Sequence, residues 1–173
     1  KYNFVDDIFF ETTMYKGSIS DVLNRGTSSN AYNEIIDIKQ EGIENSFVFK
    51  DNNQLLKLSN TFSKSREDDG DPQLRRPEQQ YGVKYSKKFK NNFLGPFNLT
   101  YDYRHVGKVE DWKNGSVREK VDSSDIMNLV LSKEILSNIW SLNILNLTDE
   151  NYQRPDTYNQ ERRRIELSFR SKY

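Results

Sequence analysis

Apolar and polar residues alternate along most of this chain with a period of two. In residues 81–89, 97–103 and 165–173, apolar side chains fill twelve of fourteen odd positions, and none of the twelve even positions in 82–88, 98–104 and 166–172 is apolar. A helix repeats every ~3.6 residues and cannot hold that parity, so these are strands with one apolar face. Shorter runs mark the other strands. Ile8, Phe10, Thr12 and Met14 begin the first, and Ile36 and Ile38, then Ile43, Phe47 and Phe49, form the second. Leu56, Leu58 and Phe62 follow, and later Met127, Leu129 and Leu131, then Trp140, Leu142 and Ile144. The parity change between Ile38 and Ile43 predicts a β-bulge near 40–42, where Gly42 would permit one. The pattern predicts eight strands.

Their connections alternate in length. Long polar stretches lie at 24–33, 66–77, 105–122 and 149–161, and short ones at 50–53, 90–95 and 137–138. Asp51, Asn52 and Asn53 suit a tight turn, and Ser137 and Asn138 are expected to form a two-residue turn. Short turns at one end and long loops at the other are the pattern of outer-membrane barrels. Periodicity alone leaves the outward face open, since in a soluble lipocalin-like barrel the apolar face would surround a ligand. Two features favour lipid. Aromatics recur at strand ends (Phe49, Phe62, Tyr81, Phe89, Phe97, Tyr103, Trp140 and Tyr173), as in interfacial girdles, and the other face is charged enough to line a wet lumen.

Composition agrees once the aromatics are counted. Only 34% of residues are hydrophobic and the mean hydropathy is −0.92, values that would suggest disorder without the ten Tyr, ten Phe and two Trp. A sheet with one apolar face needs no more than this. Acidic and basic residues balance at 26 each, so no whole-chain field attracts nucleic acid. No cysteine is present, and the single His105 leaves little for metal or acid–base chemistry, although Asp102 lies close in sequence. No cofactor is implied and an enzyme is disfavoured. No stretch approaches the ~20 apolar residues of a spanning helix. The first residues lack a signal-peptide layout, so an exported protein would start upstream of Lys1.

Several short elements carry a resemblance. Asn146, Leu147 and Asp149 with Tyr152 resemble an N-L-F-D-x-x-Y element, with Thr148 in place of Phe. Gly42-Ile43-Glu44 is similar to G-V-E at the start of a descending strand, and Arg75-Arg76-Pro77 to R-R-P. Tyr101, Tyr103 and Gly107 are similar to Y-x-Y-x-x-x-G, and Ile19, Asp21 and Leu23 to I-x-D-x-I at the top of a strand. Together they make residues 1–173 resemble the C-terminal part of the barrel of TonB-dependent outer-membrane receptors, particularly the cobalamin and siderophore branch. Arg162-Arg163 stands where that family has Gly-Arg, and Ser171 where it has an aromatic.

The resemblance implies an all-β antiparallel transmembrane barrel segment, about eight meander strands of a ~22-stranded whole. The plug and earlier strands would lie outside this chain. It implies energy-coupled uptake of a corrinoid or an iron chelate across the outer membrane of a Gram-negative bacterium, with outer-membrane lipid, TonB through the missing plug region, and the barrel-assembly machinery as partners. Ile165, Leu167, Phe169 and Tyr173 would form the assembly signal. Ligand contacts are expected from the external loops, at Arg75, Arg76, Trp112, Arg154 and Tyr158; a solvated loop charge cluster is the plain alternative for Arg75 and Arg76, and packing of one loop on another for Trp112 and Tyr158. Lys84, Asp102, Arg104, Glu166 and Arg170 are expected to face the lumen. A self-contained eight-stranded outer-membrane protein and a soluble ligand-binding barrel remain as alternatives.

Overall fold

The computed structural model describes residues 2–5, 7–24, 34–90, 93, 95–113, 117–154 and 158–171. The eight long strands that alternation predicts are present: β2 (Ile8–Asn24), β3 (Glu34–Lys50), β4 (Gln54–Glu67), β5 (Gln79–Phe89), β6 (Phe97–Val106), β9 (Ser124–Ile135), β10 (Asn138–Leu145) and β11 (Arg164–Ser171). A short β1 (Tyr2–Val5) precedes them and pairs with β2. All are antiparallel, in one nine-stranded sheet of order β1-β2-β3-β4-β5-β6-β9-β10-β11. The sheet is open, with β1 and β11 at its edges. The remaining two strands, β7 (Val109–Lys113) and β8 (Val117–Val121), pair only with each other.

Register lines the apolar positions up across the sheet. Ile8, Phe49, Leu56, Tyr85, Tyr101, Leu129, Ile144 and Ile165 stand successively opposite one another, an apolar row eight strands wide. The row above it holds Phe10, Phe47, Leu58, Val83, Tyr103 and Met127. Cross-strand pairs of this kind are the unit of sheet stabilisation. Stacked Phe89 and Phe97, and Trp140 against Phe169, close the lower rim with ring centroids 4.6 Å and 4.9 Å apart. The opposite face carries rows such as Lys57, Lys84, Asp102 and Asn128.

Among the described residues, no element packs across the apolar face. Met14, Leu58, Phe62, Leu131, Trp140, Leu142, Ile165, Leu167 and Phe169 are all exposed and all belong to it. Among the described residues the buried apolar ones are Ile36, Ile38, Val109, Val121 and Ile126. They sit in β7 and β8 or near the strand ends from which the long loops leave.

Four local readings need correction. The bulge lies in β2, where the register shifts between Ile19 and Val22, and β3 runs regularly through 40–42. Asp21 takes a left-handed φ of 58° there, a conformation that Asp tolerates better than most residues. The parity change in β3 instead reflects Ile36 and Ile38 pointing to the opposite, covered face. Gly42, expected to start a strand, lies inside β3, because Tyr15 packs where a Cβ would be, its hydroxyl 2.6 Å from that position. The two-residue turn is Leu136 and Ser137, both left-handed (φ 51° and 62°), with Asn138 already in β10 opposite Ile135. That is the backbone a two-residue hairpin favours. The loop expected at 105–122 contains the β7–β8 hairpin.

Asp51 makes the predicted turn: its Oδ1 accepts from the backbone N–H of Asn53 (2.6 Å) and Gln54 (2.8 Å). The Asn53 bond above all, helped by Gln54, holds the Asp51 carboxyl below the usual carboxylate range. Half of the turn expected at 90–95 lies outside the described residues.

Candidate functional site

The long loops leave one end of the sheet, and the described ones are joined to each other. After β4, Ser65 Oγ donates to Gln73 Oε1 (2.6 Å), and the backbone N–H of Gln73 donates to the Ser65 carbonyl (3.0 Å). That folds 68–78 back along its strand. The β7–β8 hairpin then docks on this loop through Arg118. Its guanidinium pairs with the buried Glu67, lies 3.7 Å from Asp71 and 3.9 Å from Glu110, and donates to the Pro72 carbonyl (2.8 Å). It also stacks on the Trp112 ring at 5.4 Å. A second tie runs beside it. Arg75 Nε donates to Asp111 Oδ1 at 2.9 Å, Asp111 is only 1% exposed, and the Arg75 N–H donates to the Glu110 carbonyl (2.8 Å).

The loop after β10 is held from two sides. Asn146, 5% exposed and left-handed (φ 51°), donates through Nδ2 to the carbonyls of Glu150 (2.8 Å) and Glu161 (3.1 Å). Its Oδ1 accepts from the Glu150 N–H (2.8 Å), and its own N–H donates to Asn128 Oδ1 (3.0 Å). One amide thus closes both ends of the loop, a task its two donors and acceptor suit. Asp149 accepts from Arg162 Nε (3.0 Å) and Nη2 (2.7 Å) and from the Arg163 N–H (2.9 Å). The Arg162 guanidinium, then the Arg163 N–H, hold its carboxyl far below the usual range, and Arg162 is raised in return. Arg154 reaches the neighbouring loop, donating to the carbonyls of Val106 (3.1 Å) and Gly107 (3.0 Å). Burial pushes its guanidinium below the ordinary arginine value.

The expected site residues therefore divide. Arg75 and Arg154 are engaged in joining loop to loop, whereas Trp112 lies under the Arg118 guanidinium within its own hairpin. Arg76 is exposed and borders an open cavity of about 460 Å³ with Arg66, Glu78, Lys108, Glu110 and Lys120. Tyr158 is exposed as well, with its carbonyl accepting from the Arg154 N–H (3.1 Å). Lys84 and Asp102 stand opposite one another, and with Arg104 they border a second cavity of about 490 Å³ on the polar face. Glu166 and Arg170 share that face through their partners Asn143 and Ile139, and Glu166 pairs with Arg164 at 2.9 Å. Ile165, Leu167 and Phe169 occupy the apolar face of β11, and Tyr173 lies outside the described residues.

His105 turns away from Asp102. Its Nδ1 lies 2.8 Å from Asp125 Oδ1, which also accepts from the Tyr103 hydroxyl at 2.6 Å. Among the described residues no cluster of His, Asp and Glu could hold a metal ion. Sequence reasoning missed Arg118, Glu67 and Asp111, whose pairings span 51 and 36 residues and leave no local signal. Asn146 was visible only as part of a resemblance.

An open antiparallel wall with one bare apolar face, one charged face and loops joined at one end is the fold of a segment of the barrel of TonB-dependent outer-membrane receptors. Solved structures share it. The FrpB iron transporter of Neisseria meningitidis superposes with a TM-score of 0.75 at 16% identity, over 99% of this chain and 30% of its own. The ferripyoverdine receptor of the outer membrane of Pseudomonas aeruginosa gives 0.76 at 17%, over 95% and 25%. The ferric yersiniabactin uptake receptor FyuA of Yersinia pestis gives 0.71 at 11%, over 95% and 26%. The chain thus spans about a quarter to three-tenths of these proteins. No protein-family profile and no curated protein matches the sequence.

Proposed function

We propose that residues 1–173 form the C-terminal part of the barrel wall of a TonB-dependent receptor in the outer membrane of a Gram-negative bacterium. The observation that carries this reading is the apolar row running across eight strands, none of whose residues is buried, with the charged residues on the other face. Water would leave that row unfavourably hydrated, whereas hydrocarbon accepts it. The same arrangement disfavours a soluble ligand-binding barrel, which would turn its apolar face inward. The open sheet disfavours a self-contained eight-stranded barrel, since the backbone groups of β1 and β11 then need further strands.

The substrate we infer is an iron chelate, because the structural neighbours are named for iron transport and for ferric ligands. A corrinoid is the less supported choice. The wall performs no bond chemistry. It would hold an external cap whose exposed side chains, Arg76 and Tyr158 among them, meet the ligand, while TonB would act through a plug elsewhere in the full-length protein. β11 would present Ile165, Leu167 and Phe169 to the barrel-assembly machinery, and Tyr173, which follows it in sequence, would complete the signal.

The test uses the full-length protein in a strain stripped of its own iron-chelate receptors. Growth on at least one ferric siderophore, lost when TonB is deleted, is the expected result. Uptake of corrinoid alone would overturn the substrate assignment, and TonB-independent uptake would overturn the mechanism.

A further inference from the structure

The apolar face changes character at one corner of the wall. On β2, β3 and β4 its last apolar row is Met14, Ile43 and Phe62, and Phe62 packs edge-on against Tyr81 with ring centroids 5.6 Å apart. The next row toward the loops is Lys16, Glu41 and Lys64, and the one after it Ser18, Lys39 and Arg66. At the loop end of β5, β6 and β9 the same face carries Gln79, His105 and Asp125 instead, so the lysines and arginine are gathered on three strands.

The protein does not balance these cations. Lys16 pairs with Glu41 (3.5 Å) and Arg66 with Glu78 (2.5 Å), while Lys39 and Lys64 have no carboxylate partner among the described residues. Asp37, the next position on this face, accepts from the Asp21 N–H (3.3 Å). Lys39 also stands directly opposite Arg66, and like charges so placed repel. An anion lying across the pair would relieve that repulsion. Beside them a cleft of about 450 Å³ opens, with Met14, Ile43 and Phe62 on its apolar side and Lys16, Glu41 and Lys64 on its polar side.

We propose that this corner is a binding site for an outer-leaflet lipid with an anionic phosphate head group. The inference rests on the membrane reading above. Phe62 and Tyr81 stand at the level of the interfacial girdle, so the two rows beyond them lie where head groups lie. Whatever fills the cleft has to be apolar toward the band and anionic just above it, and a lipid has that layout. Its chain would lie against Met14, Ile43 and Phe62, and its phosphate across Lys39, Lys64 and Arg66, whose long stems reach up from the band. A soluble anion has no chain to place in the cleft, and a transported ligand would pass along the other face of the wall.

The test uses the full-length protein in phosphatidylcholine nanodiscs doped with spin-labelled phosphatidylglycerol. Wild type should hold phosphatidylglycerol in preference, and Lys39→Ala with Lys64→Ala should weaken that association about tenfold or more. Lys57→Ala with Lys88→Ala removes the same charge from the polar face and should leave the association unchanged. Heat-modifiable mobility on a gel shows that each variant is folded, and Lys39→Gln with Lys64→Gln replaces the alanine pair if that pair misfolds. No preference in wild type, equal weakening in the two pairs, no weakening in the first, or displacement of the lipid by inorganic phosphate overturns the proposal and leaves the receptor reading standing. Failure of wild type to partition into membranes overturns both.

Discussion

The wall and the loop cap hold themselves together by opposite means. On the wall, the apolar side chains stand in rows that are half-buried to exposed and leave the rest of their burial to the surroundings. In the cap, buried charge does the joining: Glu67 with Arg118, and Asp111 with Arg75. The wall is thus sensitive to what touches its face and tolerant of most changes on its polar side. The cap is sensitive to any single charge, because a buried ion left without its partner costs far more than the pair contributed.

The largest effect should come from breaking the cap. Arg118→Ala removes the counter-charge of a Glu67 that is only 4% exposed, and about 3–5 kcal/mol of local stability should go with it. Hydrogen exchange should then rise across 68–78 and 109–121 while β9 and β10 stay protected. Equal loss of protection in the wall would mean that the two regions are not separable.

A charge on the wall should depend on parity alone. Leu142→Lys is expected to destabilise the folded protein in phospholipid vesicles by about 2–4 kcal/mol, and the adjacent Ser141→Lys by less than about 1. Reversible denaturant unfolding of the full-length protein measures both.

Smaller still is the cost of Asn146→Ala, about 1–3 kcal/mol, confined to the loop that the amide closes. Exchange in 147–163 should report it. The smallest effect is the pH response of Asp149. Its folded-state pKa is depressed, so its contribution is fully present above the unfolded value of about 4 and is lost as pH falls through the folded one. The protection factor of the Arg163 amide, taken against its intrinsic exchange rate at each pH, should therefore fall in strong acid, and in Asp149→Asn this acid response should be missing.

The same contrast explains what was legible in the sequence. A strand's parity is a local property, so the rows from Ile8 to Ile165 could be read before any pairing was known. The Asp51 turn is local too, since Asp51 caps Asn53 and Gln54 two and three residues on. The β7–β8 hairpin escaped because one of its buried inward positions is Asp111, which looks like loop in isolation and makes sense only beside Arg75. The misplaced bulge has a similar cause. Ile36 and Ile38 mark the face covered at the loop end of β3, and the pattern alone could not separate that from a change of face. Leu136 in a left-handed turn violates local preference, and the pairing of Asn138 with Ile135 overrides it. The family-like elements proved to be fasteners: Asn146 closes a loop, Gly107 admits the Gln79 carbonyl 3.0 Å from where a Cβ would be, and Gly42 admits Tyr15.

The central claim is that odd and even positions of one strand meet different solvents. A nitroxide placed in turn at Leu55, Leu56, Lys57, Leu58 and Ser59 of the reconstituted full-length protein tests it directly. Collision with oxygen, which concentrates in hydrocarbon, should peak at Leu56 and Leu58, and collision with a water-soluble nickel chelate at Leu55, Lys57 and Ser59. Oxygen maxima at Leu55, Lys57 and Ser59, or no alternation at all, would contradict the account.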